Sequence, residues 1–402
     1  MTNDARSSYK TEKRILWVST LTLDIHLHKS AQLEIMKYLS KRGVKSLLVA
    51  MRSRNYTSDK MEGVTIFSIP LRYLTIFSSA IFAIIMFLLL PFFLLIMKPN
   101  YVITQPEVPF VSLMPGLLVS RFTKAKFLLD IRTTPVETEG FQGFRRKFLF
   151  NTSVFAARTF FNGVTILTSL MKNELCNNFK IDPKKVGVWT SGVSATLFHN
   201  SNYITESSNL RKKFCLNGKF IVFYHGIFSA NRGLKETIRS VKLLRINYPE
   251  LILFLLGTGP VVVELRSIIK VEGLQNNVII HDPVDHKNIP KFIGMSDVCI
   301  VPLPDNPFWR YQCPIKLLEY LAMEKCVILT DIPAHRMIIG TEKCAIFISS
   351  AEPSVIAASI GFAYHNSGKL DKWGKTGREL ITKRYIWEKV AEDLENYLQI
   401  ID

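Results

Sequence analysis

Residues 313–333 read CPIKLLEYLAMEKCVILTDIP, and the order of residue types in this run decides the fold class. Pro314 suits the first position of a helix, where its missing N–H is not needed and its fixed φ favours the turn. Leu317, Leu318 and Leu321 then turn toward a core, while Lys316 and Glu319, three apart, stand at neighbouring points of one face. The following CVILT is apolar and β-branched, as a buried strand should be, and TDIP closes it as a turn. A cation and a carboxylate thus sit at a helix start, where unpaired backbone N–H groups already favour an anion. That is a seat for a sugar nucleotide, with diphosphate oxygens at Lys316 and the N–H groups and ribose hydroxyls at Glu319. An ordinary core helix with a surface Lys–Glu pair would show the same letters, so the rest of the chain has to discriminate.

With 402 residues and 48% apolar content, the chain has material for two cores of Rossmann size. The net charge of +18 asks for an anionic partner: nucleic acid, an anionic membrane surface or a phosphate-rich substrate. No zinc-knuckle, helix-turn-helix or aromatic RNA-binding signature is present, which argues against nucleic acid. The six cysteines, Cys176, Cys215, Cys299, Cys313, Cys326 and Cys344, contain no C-x-x-C pair and read as reduced thiols of an intracellular protein. The opening MTNDARSSYKTEKR lacks the apolar region of a signal peptide, so residues 1–13 are expected to be a polar tail.

PIKLLEYLA followed by VILTDIPAH resembles the donor-site helix and next strand of the retaining glycosyltransferases of family 4 (glycosyl transferases group 1). The resemblance covers nearly the full chain, most specifically residues 226–233 and 314–333. It implies α/β architecture of the GT-B kind, two Rossmann-like domains facing a central cleft. KFIVFYHGIFSANRGLKETI is similar to the family's glycine-and-basic element, which implies donor contacts at Gly226 and Arg232; LILFLLGTGP resembles its Gly-x-Gly-Pro turn, at Gly257. On the helix, the resemblance implies donor contacts at Lys316, Leu317 and Glu319. Many members carry two glutamates eight residues apart; Glu319 matches the second, and Tyr311 stands at the first. The first loop, usually carrying a glycine pair, is here the glycine-free TLTLDIHLHK, in which His26 and His28 are cleft candidates and solvated loop histidines are the other reading. Asp130 ends the strand KFLLDI near the family's acceptor residue, and Arg132 follows; the carboxyl ends of strands are where open α/β sheets bind ligands. The expected division is an acceptor domain at 14–193, a linker at 194–217, a nucleotide-sugar domain at 218–375 and a terminal helix at 376–402 crossing back to the first domain. No tightly bound cofactor and no metal is expected, with a nucleotide-diphosphate sugar as donor substrate.

Residues 74–97, LTIFSSAIFAIIMFLLLPFFLLIM, carry no charge and could by length span a bilayer. Strands expected on both sides belong to one sheet, so an in-plane or re-entrant pair of helices bent at Pro91 is expected instead; a helix buried between sheet and neighbours is the other reading. PFVSLMPGLLVSRF is mostly apolar, and FQGFRRKFLFNTSVFAARTFF interleaves Arg145, Arg146 and Lys147 with phenylalanines, the pattern of a surface that meets anionic lipid. Together these readings predict a retaining glycosyltransferase, monotopic or peripheral at the cytoplasmic face of a membrane, acting on a lipid-linked or membrane-proximal glycan acceptor. Arg232 and Lys316 would stabilise the leaving diphosphate and Asp130 would orient the acceptor hydroxyl. A GT-B nucleotide-sugar epimerase and a non-catalytic membrane-bound partner in polysaccharide assembly are the alternatives.

Overall fold

The computed structural model describes residues 13–23, 31–52, 63–71, 76–135 and 140–401, so His26 and His28 lie outside the described residues. The chain forms two compact units, Met1–Trp189 with Ala391–Asp402, and Thr190–Val390.

In the first unit, β1 (Arg14–Thr22), β2 (Lys45–Met51), β3 (Val64–Ile69), β4 (Tyr101–Thr104), β5 (Lys126–Ile131), β6 (Gly163–Ile166) and β7 (Val186–Val188) form one parallel sheet. Its order is β3-β2-β1-β4-β5-β6-β7, which turns back between β1 and β4. The runs YVIT and GVTI are buried at every position, as strands covered on both faces must be. The connecting helices are α1 (Ala31–Lys41), α2 (Ile76–Met97), α3 (Met114–Thr123), α4 (Gly140–Phe160) and α5 (Ser169–Phe179). The last residues of the chain belong here too: Tyr101 Oη donates to the Leu398 carbonyl at 2.9 Å, and Arg42 Nε lies 2.7 Å from Glu395 Oε2.

The uncharged run forms α2, a single helix that continues through Pro91, instead of the expected bent pair. Phe82, Met86, Leu90 and Leu94 recur every four residues and are fully buried, so the halves before and after the proline share one packed face. That shared burial holds the helix together where the proline removes a backbone bond. The rest of α2 is apolar yet open: Phe77, Ile84, Leu88, Phe92 and Ile96 are exposed. Packed on one side and bare on the other, α2 is not an enclosed core helix, and it is long and apolar enough to cross a membrane. Its contact with α3 runs over Gly116, where a Cβ would collide with the Leu90 side chain. Gly116→Val should therefore destabilise the unit by about 1–3 kcal/mol, the usual penalty of overpacking, read from chemical denaturation.

The second unit repeats the architecture. It contains α6 (Ile204–Lys213), β8 (Phe220–Ile227), α7 (Leu234–Leu244), β9 (Leu251–Thr258), α8 (Val262–Val271), β10 (Val278–His281), α9 (Ile289–Gly294) and β11 (Val298–Val301). There follow α10 (Ile315–Ala322), β12 (Val327–Thr330), α11 (Pro333–Ile339), β13 (Ala345–Ile348), α12 (Pro353–His365) and α13 (Ser367–Arg384), with α14 (Trp387–Ile400) beginning in this unit. All strands are parallel, in the order β10-β9-β8-β11-β12-β13. α7 buries Leu234, Ile238 and Val241 in the same cluster as Val222, Leu253 and Ile300 of the sheet. Residues 194–217, expected as a linker, instead contribute α6 to this unit. Arg211 anchors it, its Nη2 2.8 Å from Asp297 Oδ2 and its Nε donating to the Met295 carbonyl at 2.7 Å.

Candidate functional site

The second unit gathers its charged residues where β8 turns into α7. Gly226 has φ +123° and Gly233 φ +68°, backbone conformations that favour glycine. A Cβ at Gly233 would run into the Pro302 carbonyl, and one at Gly257 into the Gly226 carbonyl, so both loops close tightly because those side chains are missing. A Cβ on Gly226 would stand 3.0 Å from Lys316 Nζ. The lysine tip therefore rests directly against the turn that follows β8.

α10 begins at Ile315, with Pro314 as its cap residue at ψ 112°, one position earlier than the expected first-turn proline. Every residue from Lys316 to Ala322 is buried, so the Lys–Glu pair lies inside the protein and not on a surface face. Lys316 Nζ has no hydrogen-bond partner among the described residues and sits 3.7 Å from the centre of the Tyr224 ring. Burial pushes this ammonium well below its ordinary range, the neighbouring Arg232 guanidinium pushes it further, and Glu319 partly opposes both. Arg232 projects into the same corner: its Nε donates to Ser229 Oγ at 3.1 Å and its guanidinium lies 5.0 Å from the Trp309 ring centre. Between the two cations is Tyr224, whose phenol burial raises to about 12 despite Arg232.

Glu319 faces the other way. Its Oε1 is 2.7 Å from His286 Nε2 and its Oε2 is 3.0 Å from His225 Nε2. Burial alone would raise this acid, but the contacts with the two imidazoles outweigh it and bring the carboxyl down to about 2. Burial also lowers His225, which favours a neutral ring beside an ionised glutamate. Leu317 serves a different purpose from the expected one: its side chain is in the core and its N–H bonds the Pro314 carbonyl at 3.0 Å. Tyr311 closes a short turn, Trp309–Tyr311, and is half-buried; Gln312 beside it keeps a buried amide nitrogen without a hydrogen-bond partner among the described residues.

Asp130 and Arg132 are in the first unit. Asp130 was expected to open onto a ligand; its side chain is instead fully enclosed, with Oδ1 accepting from Thr165 Oγ1 at 2.8 Å and from Trp189 Nε1 at 3.0 Å. Burial raises its carboxyl, against the opposing pull of Arg132. The Arg132 guanidinium lies 3.6 Å from the Trp189 ring centre and donates to the Trp189 carbonyl at 2.7 Å. The structure thus assembles Gly226, Gly257, Arg232, Lys316 and Glu319 in one unit and holds Asp130 and Arg132 in the other. Sequence reading missed Tyr224, His225 and Trp309, although the first two adjoin Gly226. It also missed His286, which no spacing rule connects to Glu319. Among the described residues no group of three or more His, Cys, Asp or Glu is arranged to hold a metal ion.

Against known proteins, residues 206–380 match the family described as Glycosyl transferases group 1. An uncharacterized glycosyltransferase of Methanocaldococcus jannaschii is 26% identical over 245 residues, 58% of this chain and 56% of the relative. The chain thus covers about half the length of that curated relative. The crystal structure of a glycosyltransferase from Rickettsia africae superposes with a TM-score of 0.75 at 17% identity, over 98% of this chain and 99% of the other. Anabaena HepE in complex with UDP-glucose gives 0.71 at 13% identity, over 96% and 99%. The fold, two parallel-sheet Rossmann-like domains, is that of GT-B structures.

Replacing Lys316 by methionine removes a buried ammonium without emptying its space. Lys316→Met should raise the stability of the protein by about 1–4 kcal/mol, the range seen when buried charges give way to apolar residues. The folded-state affinity of Lys316 for its proton is below the unfolded one, so the wild type is at its full disadvantage below the folded pKa. That disadvantage should fade as pH rises toward 10.5, and paired urea melts across the alkaline range will show the two curves converging.

Proposed function

We propose that the chain is a retaining glycosyltransferase that takes a sugar from a nucleotide-diphosphate sugar and passes it to a lipid-linked or membrane-proximal glycan acceptor at the cytoplasmic face of a membrane. The observation that carries the donor half is the buried, unpartnered Lys316 ammonium against Gly226, with Arg232 in the same corner. As the bond between sugar and phosphate breaks, negative charge gathers on the departing diphosphate and positive charge on the anomeric carbon. Two cations already fixed in a low-dielectric corner stabilise that diphosphate without reorganising, an effect worth about 2.7–4 kcal/mol for each well-placed donor. Gly226 lets the phosphate approach the backbone closely. Glu319, held ionised by His225 and His286, is the acceptor available to ribose hydroxyls. The similarity of residues 206–380 to Glycosyl transferases group 1 and the UDP-glucose complex of a structural neighbour support the same donor class.

The membrane half rests on the first unit. α2 exposes Phe77, Ile84, Leu88 and Ile96; α3 exposes Met114, Leu118 and Phe122 at helical spacing; α4 exposes Phe141, Phe144, Phe148 and Phe155. α2 packs against α3, so their bare faces adjoin. An apolar surface of this extent, beside Arg145, Arg146 and Lys147, suits an anionic lipid interface.

Radiolabelled sugar transfer to membrane lipid tests the whole reading. Lys316→Ala should lower kcat roughly 10²–10³-fold, and Glu319→Ala should chiefly raise the KM for donor; transfer that survives both substitutions would remove the proposed site. Purified protein should cosediment with anionic vesicles and stay bound at high salt, where attraction by charge alone is screened. Full recovery in the supernatant would dismiss the membrane surface.

A further inference from the structure

Both oxygens of the Glu319 carboxylate are already taken, Oε1 by His286 Nε2 at 2.7 Å and Oε2 by His225 Nε2 at 3.0 Å. A ribose diol presents two hydroxyl donors to a carboxylate, so one of these contacts has to open before the pair can be read. The surroundings decide which. His225 is boxed in: its ring centre lies 5.2 Å from that of Tyr320 and 6.0 Å from that of Phe223, and its backbone N–H donates to Tyr320 Oη at 2.9 Å. His286 stands on the short turn His286–Asn288 and is partly exposed, so its ring has water to turn into.

The ring that His286 rests against is Phe198. It is buried, its centre is 5.3 Å from the imidazole, and the two planes are tilted by 56°. Phe198 belongs to the stretch by which the chain enters the second unit after Trp189. Its backbone is tied on both sides: the N–H donates to the Ser194 carbonyl at 2.9 Å, and the carbonyl accepts from Arg378 Nη1 at 2.8 Å. The same Nη1 donates to the carbonyl of Ala322, the last residue of α10, and Nη2 reaches the Ala195 carbonyl at 3.4 Å. The planar guanidinium fork thus fixes Phe198 to the end of the helix that carries Glu319. α13 brings Arg378 within reach because it lacks side chains at two points of contact. A Cβ at Gly374 would strike the Glu324 carbonyl, and one at Gly377 the Leu321 side chain.

We propose that His286 is an internal competitor for the nucleotide ribose, held on Glu319 by Phe198, and that Arg378 sets the strength of that hold through the Phe198 carbonyl. Imidazole and ribose exclude one another at Oε1, so the apparent affinity for nucleotide is reduced by the fraction of molecules in which His286 is seated. Phe198 and Arg378 touch no substrate in this scheme; they are positioning residues. The inference deepens the transferase reading and rests on it. Its sign is distinctive: loosening this packing strengthens nucleotide binding, whereas damage to a merely structural contact weakens it.

Calorimetry on the full chain tests it. UDP, ADP and GDP are titrated first, and the tightest binder is compared with its 2′,3′-dideoxy form, which lacks the diol. Phe198→Leu keeps an apolar side chain and Arg378→Lys keeps the charge; each should tighten the ribo form roughly two- to tenfold and leave the dideoxy form unchanged. His286→Ala should tighten the ribo form at least about tenfold. Arg211→Lys loosens the same unit where Arg211 holds Asp297 and the Met295 carbonyl, and should change neither nucleotide. With Glu319→Ala in place, Phe198→Leu should have no effect on either, because the contact it acts through is gone. Weaker or unchanged ribo binding in either Phe198→Leu or Arg378→Lys, equal changes in both nucleotides, or tightening that survives Glu319→Ala would each overturn the competitor assignment and leave the donor site in place. The donor reading fails separately. A wild type that binds none of the three diphosphates, or binds ribo and dideoxy forms alike, would remove the ribose role of Glu319 and this inference with it.

Discussion

A protonated lysine enclosed in protein without a counter-ion is unfavourable, because the ammonium has lost its water and gained nothing of opposite sign. Lys316 is enclosed in that way, which is why burial lowers its affinity for a proton so far, and the surrounding architecture sets how its charged form is met. The Tyr224 ring offers its π-face at 3.7 Å, a partial substitute for an anion. Gly226 leaves the space a side chain would have filled. Glu319 acts on it at longer range, while both glutamate oxygens are already engaged by histidines. The arrangement stores unfavourable charge that a diphosphate would relieve, the opposition between stability and function common at active sites.

Much of the fold could be read from the letters. Short β-branched runs such as CVILT and YVIT alternate with amphipathic helices, and glycines mark the loops after β8 and β9, where the backbones approach too closely for a Cβ. The grouping of Gly226, Arg232, Lys316 and Glu319 in one unit was legible for the same reason: they belong to local patterns with a local physical logic. What could not be read was long-range. His286 reaches Glu319 from a loop 33 residues earlier in the chain, and Trp309, beside Arg232, bonds the Asn231 carbonyl across 78 residues. Asp130 was misjudged because its position at a strand end says nothing about Trp189, which closes over it from a later strand. Residues 194–217 looked like a linker because they are polar, yet Arg211 finds Asp297 and a helix results.

The uncharged run shows the same limit in another form. Composition alone could not choose between a span, a bent pair and a core helix, since all three are written in Phe, Leu and Ile. The deciding quantity is which face finds protein, and that depends on Gly116 accepting Leu90 and on the burial of Phe82 and Met86. Leaving Phe77, Leu88 and Ile96 in water has an unfavourable hydrophobic free energy of about 25 cal/mol per Å² of apolar area. A lipid surface relieves it without requiring the helix to leave its sheet.

The net charge of +18 acquires a structural meaning from these two regions. Arg232 and Lys316 in one unit, and Arg145 and Arg146 in the other, are basic residues without ion-pair partners among the described residues, with Glu319 and Glu107 acting on them only at longer range. Surface pairs such as Lys235 with Glu264 or Arg310 with Asp305 neutralise themselves and ask for no partner. Within Glu319's surroundings, the two histidines are not equivalent either: the His286 side chain is 34% exposed and the His225 side chain 9%. In the proposed function a ribose diol would therefore compete with His286, whose ring can turn to solvent, while His225 stays beneath and keeps the carboxylate ionised. Under that proposal, basic excess and paired histidines express one requirement: phosphate charge would meet the basic residues while the histidines hold the Glu319 carboxylate ionised for the sugar.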